Sequence, residues 1–175
     1  MSPTPDRRRQ GPRLEPPLSK GGLERSALWH LQRRALTERE LRLALGKKVT
    51  RAARAHGPCA EADAWIDALV VRLKNSLLLD DVRVAAARVA SDVAHGRSRR
   101  MVAQRLKQKG VDDELVADVT ADVNDDDAAD AFVRRRRLQE KDHRKALAAL
   151  ARQGFSFDVA RRALDRATDE GAGDR

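Results

Sequence analysis

The sequence predicts an all-α protein of three tandem three-helix repeats stacked into an elongated, curved body, and three observations carry that prediction. Aromatic residues make up only 3% of the 175 positions, with no Tyr, against 41% hydrophobic residues overall. Ala, Leu and Val must therefore fill the interior, which suits closely packed helices better than the β-branched and aromatic faces of a sandwich. Apolar residues also recur at helical spacing along most of the chain. Finally, a pattern returns after 44 positions, the distance from Gly110 to Gly154. Leu106 to Asp112 and Leu150 to Ser156 each give Leu, Gly four positions later, an apolar residue, and a helix-capping side chain.

The elements follow in order. Residues 1–22 hold Pro3, Pro5, Pro12, Pro16 and Pro17, then Gly21-Gly22, without apolar periodicity, and are expected to form a disordered basic arm. Leu28, Leu31 and Ala35 mark a first helix. Thr37 and Glu40 form a capping box, in which each side chain satisfies a free amide at the start of the next helix; Leu41 and Leu45 line its inner face. Ala62, Ile66, Leu69 and Leu73 line a third helix. Asp80-Asp81 caps a fourth, with an apolar stripe at Val82, Ala85, Ala86, Val89 and Val93, closed by Gly96.

Ser98 opens a helix through Val102 and Leu106, Gly110 suits its left-handed end, and Asp112 starts the next, with Leu115, Val116, Val119 and Val123. The run Asp125-Asp126-Asp127 precedes a helix through Ala129, Phe132 and Val133. Asp142 caps a helix with Leu147 and Leu150, ended by Gly154, and Ser156 starts the last, with Val159, Ala160, Ala163 and Leu164. At the 44-residue offset Ser98 falls on Asp142 and Leu115 on Val159, while Thr37 and Leu45 stand where Ser98 and Leu106 stand. The expected units are 23–79, 80–124 and 125–169, with a frayed tail at 170–175. Units this short cannot bury their apolar faces alone and must stack.

The 36 Lys+Arg against 27 Asp+Glu give a net charge of +9. Such an excess points to a polyanionic partner, because basic side chains displace counterions from phosphates; acidic proteins and anionic membranes are the other candidates. A merely solvated Arg-rich surface is the plainer reading. Cys59 is the lone cysteine, so no internal disulfide or thiolate cluster can form. Arg7 to Arg9 are followed by Pro and charge rather than the apolar stretch of a secretory signal, and no run approaches a membrane span. A cytoplasmic protein with no membrane association is expected.

No catalytic residue, metal or cofactor is expected. His30, His56, His95 and His143 lie far apart and form no helix-borne pair. Ser98 lacks a Gly-x-Ser-x-Gly elbow and reads as a cap. Asp80-Asp81, Asp112-Asp113-Glu114 and Asp125 to Asp127 fall at helix starts, where the dipole and free amides account for them better than Mg²⁺ does. No phosphate-binding glycine loop occurs. Basic clusters are left: Arg97, Arg99, Arg100, Arg105, Lys107 and Lys109 in the middle unit, then Arg134, Arg135, Arg136 and Arg137, then Arg144, Lys145 and Arg152. Along a repeat body they suggest an electrostatic track for a phosphate backbone or an acidic groove. The few aromatics argue against base stacking.

Leu79-Asp80-Asp81, Ala85, Gly96-Arg97-Ser98 and Leu106-Lys107-Gln108-Lys109-Gly110-Val111 resemble the RecX family, bacterial regulators of the RecA recombinase. Leu150, Gly154 and Phe155 look like that family's third unit, and the likeness runs from about Ser26 to Thr168. The resemblance implies a three-helix-repeat protein lying along the groove of the RecA–DNA filament, hindering filament growth and so restraining ATP hydrolysis and strand exchange. It departs from the family at Val84-Ala85, where Phe-Ala is usual. It departs again after Gly46-Lys47-Lys48-Val49, where a longer segment runs to Gly57-Pro58 instead of a short turn. The expected chain is a monomer that contacts the filament, and single- or double-stranded DNA through phosphates, with Arg97, Arg99, Arg100, Arg105, Lys107, Lys109, Arg134 to Arg137 and Arg144. The alternatives are a basic helical protein that binds DNA without RecA, and a metal-dependent nuclease built on the aspartates.

Overall fold

The computed structural model describes residues 16–173, which form nine α-helices and short connections with no strand among them. Helices α1 (Lys20–Arg33), α2 (Glu38–His56) and α3 (Ala62–Asn75) make the first unit; α4 (Asp81–Ala94), α5 (Arg99–Gln108) and α6 (Asp113–Thr120) the second. The third contains α7 (Asp125–Arg136), a 3₁₀ turn at Leu138–Glu140, α8 (His143–Arg152) and α9 (Phe157–Gly173).

Short polar side chains start most of these helices, as their chemistry requires. Ser19, Thr37, Asp80, Ser98, Asp112 and Asp142 each accept a hydrogen bond from an amide in the first turn that follows. At Thr37 the box is complete, with Glu40 Oε2 accepting from the Thr37 amide at 3.1 Å. Before α7 the cap is Asn124, and the three aspartates form the first helical turn, where the positive end of the helix dipole favours them.

Each unit closes around its own core. Leu23, Leu36, Leu41, Leu45, Leu69 and Leu73 are buried together in the first. Ala85, Val102, Leu106, Val111 and Val116 fill the second, and Phe132, Val133, Leu138, Leu150, Phe155 and Leu164 anchor the third. Three cores in series make the molecule a row. The middle core is thin, and its half-buried Val93 packs against the third core as well.

Several expectations are corrected. Helix begins at Lys20, inside the segment 1–22 expected as a disordered arm, because Ser19 caps it; residues 1–15 and 174–175 lie outside the described residues. The inner face of α1 is Leu23 and Ala27, with Leu28 and Leu31 half-buried, while Ala35 lies beyond the helix and is exposed. In α4 the buried residues are Val84 and Ala85, and Val82 is 59% exposed. The longer segment noted after Val49 is helical: α2 continues through it to His56 and ends at Gly57, whose φ is +86°. At the far end, α9 runs to Gly173, past the boundary expected at 169.

The units join by one recurring geometry. The Glu38 amide donates to Asp81 Oδ1 at 2.9 Å, and the Arg99 amide donates to Asp125 Oδ1 at 2.6 Å. In both cases the start of one unit's second helix is held by the aspartate that begins the next unit's first helix. The adjacent caps are buried and reach the end of the next unit's second helix. Thr37 Oγ1 donates to the Lys109 carbonyl at 2.7 Å, and the Ser98 amide donates to the Gln153 carbonyl at 3.0 Å. The glycines that follow, Gly110 and Gly154, have φ of +78° and +89°. A Cβ at Gly110 would run into the Arg39 side chain, and one at Gly154 would lie 2.5 Å from Ser98 Oγ. Glycine is required there for conformation and for close approach.

Candidate nucleic-acid interface

Helix positions decide which cations stay available. Asp92, in the last turn of α4, faces α5 and accepts from Arg97 Nη1 and Arg105 Nε, both at 3.0 Å. Lys107 pairs with Asp113 at 2.9 Å. Lys109 pairs with Glu40 at 3.2 Å, and Arg88 lies 2.6 Å from the same carboxylate. Four of the six middle-unit cations predicted as contacts thus sit in internal ion pairs. Arg99 and Arg100 are exposed and have no carboxylate partner among the described residues.

In the third unit Arg135, though exposed, is tied to the second unit. Its guanidinium donates to the Ala94 and His95 carbonyls at 2.6 and 2.5 Å, closing the C-terminal end of α4, where a cation offsets the dipole. Its guanidinium carbon also lies 5.9 Å from the Phe132 ring centroid, and that of Arg136 lies at 6.0 Å. Arg134, Arg136, Arg137 and Arg144 are exposed without a carboxylate partner among the described residues.

The charge is distributed differently from the clusters seen in sequence. Residues 80–124 carry eight Lys+Arg against eight Asp+Glu, so the middle unit is neutral. Residues 23–79 carry eleven against six, and 125–169 eleven against nine. The most basic unit is the first, and it holds a cleft of about 1100 Å³ whose lining includes His30, Arg34, Arg39, Lys47, Arg51 and Arg54. Glu40 lies in the same lining, paired with Arg88 and Lys109. Arg34, Arg39, Lys47, Arg51 and Arg54 have no carboxylate partner among the described residues. Burial, then Arg34 and Arg33, hold the His30 imidazole below its ordinary value.

Sequence reading missed this cleft. The signal was the spacing of Lys47, Arg51 and Arg54, four and three positions apart, which shares a face only if the helix continues past Gly46.

The remaining chemistry candidates serve the fold. Asp80 and Asp112 are caps, Asp125 holds the Arg99 amide, and Asp126 receives Arg162 and Arg166. Among the described residues no set of three His, Cys, Asp or Glu side chains could hold a metal ion, and no helix is long and apolar enough to cross a membrane.

Fold and surface together define a tandem three-helix-repeat protein with exposed positive charge on successive units. A family model described as RecX, second three-helix domain, matches residues 80–119. The chain is 39% identical over 176 residues to the regulatory protein RecX of Myxococcus xanthus, covering 92% of this chain and 94% of that one. It is 35% identical over 153 residues to that of Agrobacterium fabrum, covering 83% of each. The crystal structure of RecX from Lactobacillus salivarius superimposes with a TM-score of 0.63 at 17% identity, over 84% of this chain and 95% of that one. The chain belongs to the RecX family of regulatory proteins.

Proposed function

We propose that this protein binds along the RecA–DNA filament and restrains filament growth, ATP hydrolysis and strand exchange by steric and electrostatic means, without a covalent step. The observation that carries this reading is the series of exposed arginines without carboxylate partners along successive units of a rigid row: Arg99 and Arg100, then Arg134, Arg136, Arg137 and Arg144. A row of modules presents charge at intervals along a line, which suits a long, negatively charged assembly better than a small ligand. Lys107 can join the contact by exchanging a carboxylate for a phosphate, since its pair with exposed Asp113 breaks at little cost, whereas Arg97, Arg105 and Lys109 must leave the more buried Asp92 and Glu40 to do so. The protein acts as a monomer in the cytoplasm on this reading.

The test is RecA ATP hydrolysis on single-stranded DNA, titrated with this protein at two salt concentrations. Hydrolysis should fall with added protein, and higher salt should weaken the effect. Unchanged hydrolysis, or suppression indifferent to salt, would contradict the proposal.

A further inference from the structure

We propose that the cleft of the first unit is a binding site for single-stranded nucleic acid, with phosphates held by α2 and a base stacked on Trp29. It goes beyond the filament reading because it needs no recombinase.

The site arises where this chain departs from its own repeat. Helices α5 and α8 span ten residues each and stop at Gly110 and Gly154, four positions after Leu106 and Leu150. In the first unit Val49 stands four positions after Leu45, no glycine turns the chain, and α2 spans nineteen residues. The outer face of that longer helix carries Arg39, Lys47, Arg51 and Arg54, all exposed. From Arg39 to Arg54 is a rise of roughly 22 Å at 1.5 Å per residue, long enough for several phosphates of an extended strand. Arg34, just after α1, lines the same cleft.

A second, independent observation points to the strand being single. Trp29, on α1, is 53% exposed in a chain with very few aromatics. Its ring meets that of His30 edge-on at 4.9 Å, and His30 lines the cleft, so the indole lies one residue outside the lining. Arg33 lies 4.7 Å over one face of the ring, so the base stacks on the opposite face. An exposed indole beside a row of unpartnered cations is the pairing that unstacked bases use: the face takes a base, and the cations take the backbone. A duplex keeps its bases stacked and offers only phosphates.

The experiment measures binding of the full chain, without RecA, to a twenty-residue oligodeoxyuridylate, its oligouridylate counterpart and a twenty-base-pair duplex, by anisotropy and intrinsic Trp emission. The two single strands identify the preferred sugar. Single strands should quench the emission. Trp29→Ala should abolish most of that quenching and weaken single-strand binding at least fivefold, with duplex binding changed less than twofold. The exposed triple variant Lys47→Glu, Arg51→Glu, Arg54→Glu should weaken single-strand binding at least tenfold and flatten its salt dependence by about two in slope. Circular dichroism should match the parent for both variants. The proposal is overturned if the triple variant binds single strands as the parent does. It is equally overturned if emission is unchanged on binding, or if Trp29→Ala loses single strand and duplex alike.

Discussion

At the scale of single residues, the same side chain type has opposite fates depending on one neighbour. Arg97 and Arg105 converge on Asp92, whereas Arg99 and Arg100 have no carboxylate to meet. Asp92→Asn should therefore release two cations: later elution from heparin is expected, with a stability loss of no more than about 1 kcal/mol in urea unfolding. Glu40 and Asp81 form a second contrast. Burial pushes the Glu40 carboxyl up, but Arg88, the Thr37 amide and Lys109 together outweigh it and hold it below the usual carboxylate range. Its contribution is present above the unfolded carboxylate value and disappears as pH falls through the lower folded one. Glu40→Gln should cost about 2 kcal/mol at neutral pH, and the difference from the parent should shrink in urea midpoints as pH falls below the ordinary carboxylate range. Asp81 is shifted the other way, chiefly by burial. Asp81→Asn retains an acceptor for the Glu38 amide without a buried charge, so its midpoint at neutral pH should match or exceed the parent's. Partner choices of this kind were hidden in the sequence, because Asp92 meets Arg105, and Glu40 meets Lys109, only once the helices are docked.

At the scale of elements, helix starts were legible because a cap acts over three residues. Thr37, Ser98, Asp112 and Asp142 show their role without any tertiary information. Breakers were less informative. Gly46 lies inside α2, where a glycine costs about 1 kcal/mol and is tolerated because Leu41 and Leu45 pin the helix from its buried side. Ser19 was overlooked because Gly21-Gly22 follows it, yet its hydroxyl bonds the Gly22 amide. Exposure within α4 was misjudged at Val82 because a 3.6-residue period admits several neighbouring stripes, and only docking selects Val84 and Ala85. Gly154→Ala combines a positive φ with a collision at Ser98, so it should cost about 1–3 kcal/mol and loosen the junction between second and third units. Hydrogen exchange at the Ser98 amide, which bonds the Gln153 carbonyl, should report that loosening directly.

At the scale of the whole molecule, separate cores joined by polar clasps make stability a sum of units and interfaces. The neutral middle unit owns the smallest core, so Leu106→Ala should cost about 3 kcal/mol and deprotect α4 to α6 ahead of the first unit in hydrogen exchange. The modular plan was readable because the 44-residue offset repeats caps and glycines together. The centre of positive charge was not, because runs of arginine catch the eye while the balancing aspartates, one helix away, do not.

The clasp that joins the units is not offered by the outer face of the first one. It uses a side-chain oxygen acceptor at the first position of the following unit, as at Asp81 and Asp125, and a second helix in that unit that stops at a glycine. The first unit offers Lys20 at that position, and its second helix overshoots by two turns. A second copy presenting the free amides at the start of its α8 would meet the Lys20 ammonium and the extra turns of α2, where the clasp within the chain has a carboxylate and a glycine turn. The outer face of the first unit therefore lacks the acceptor and the close approach by which Asp81 and Asp125 join the units inside the chain.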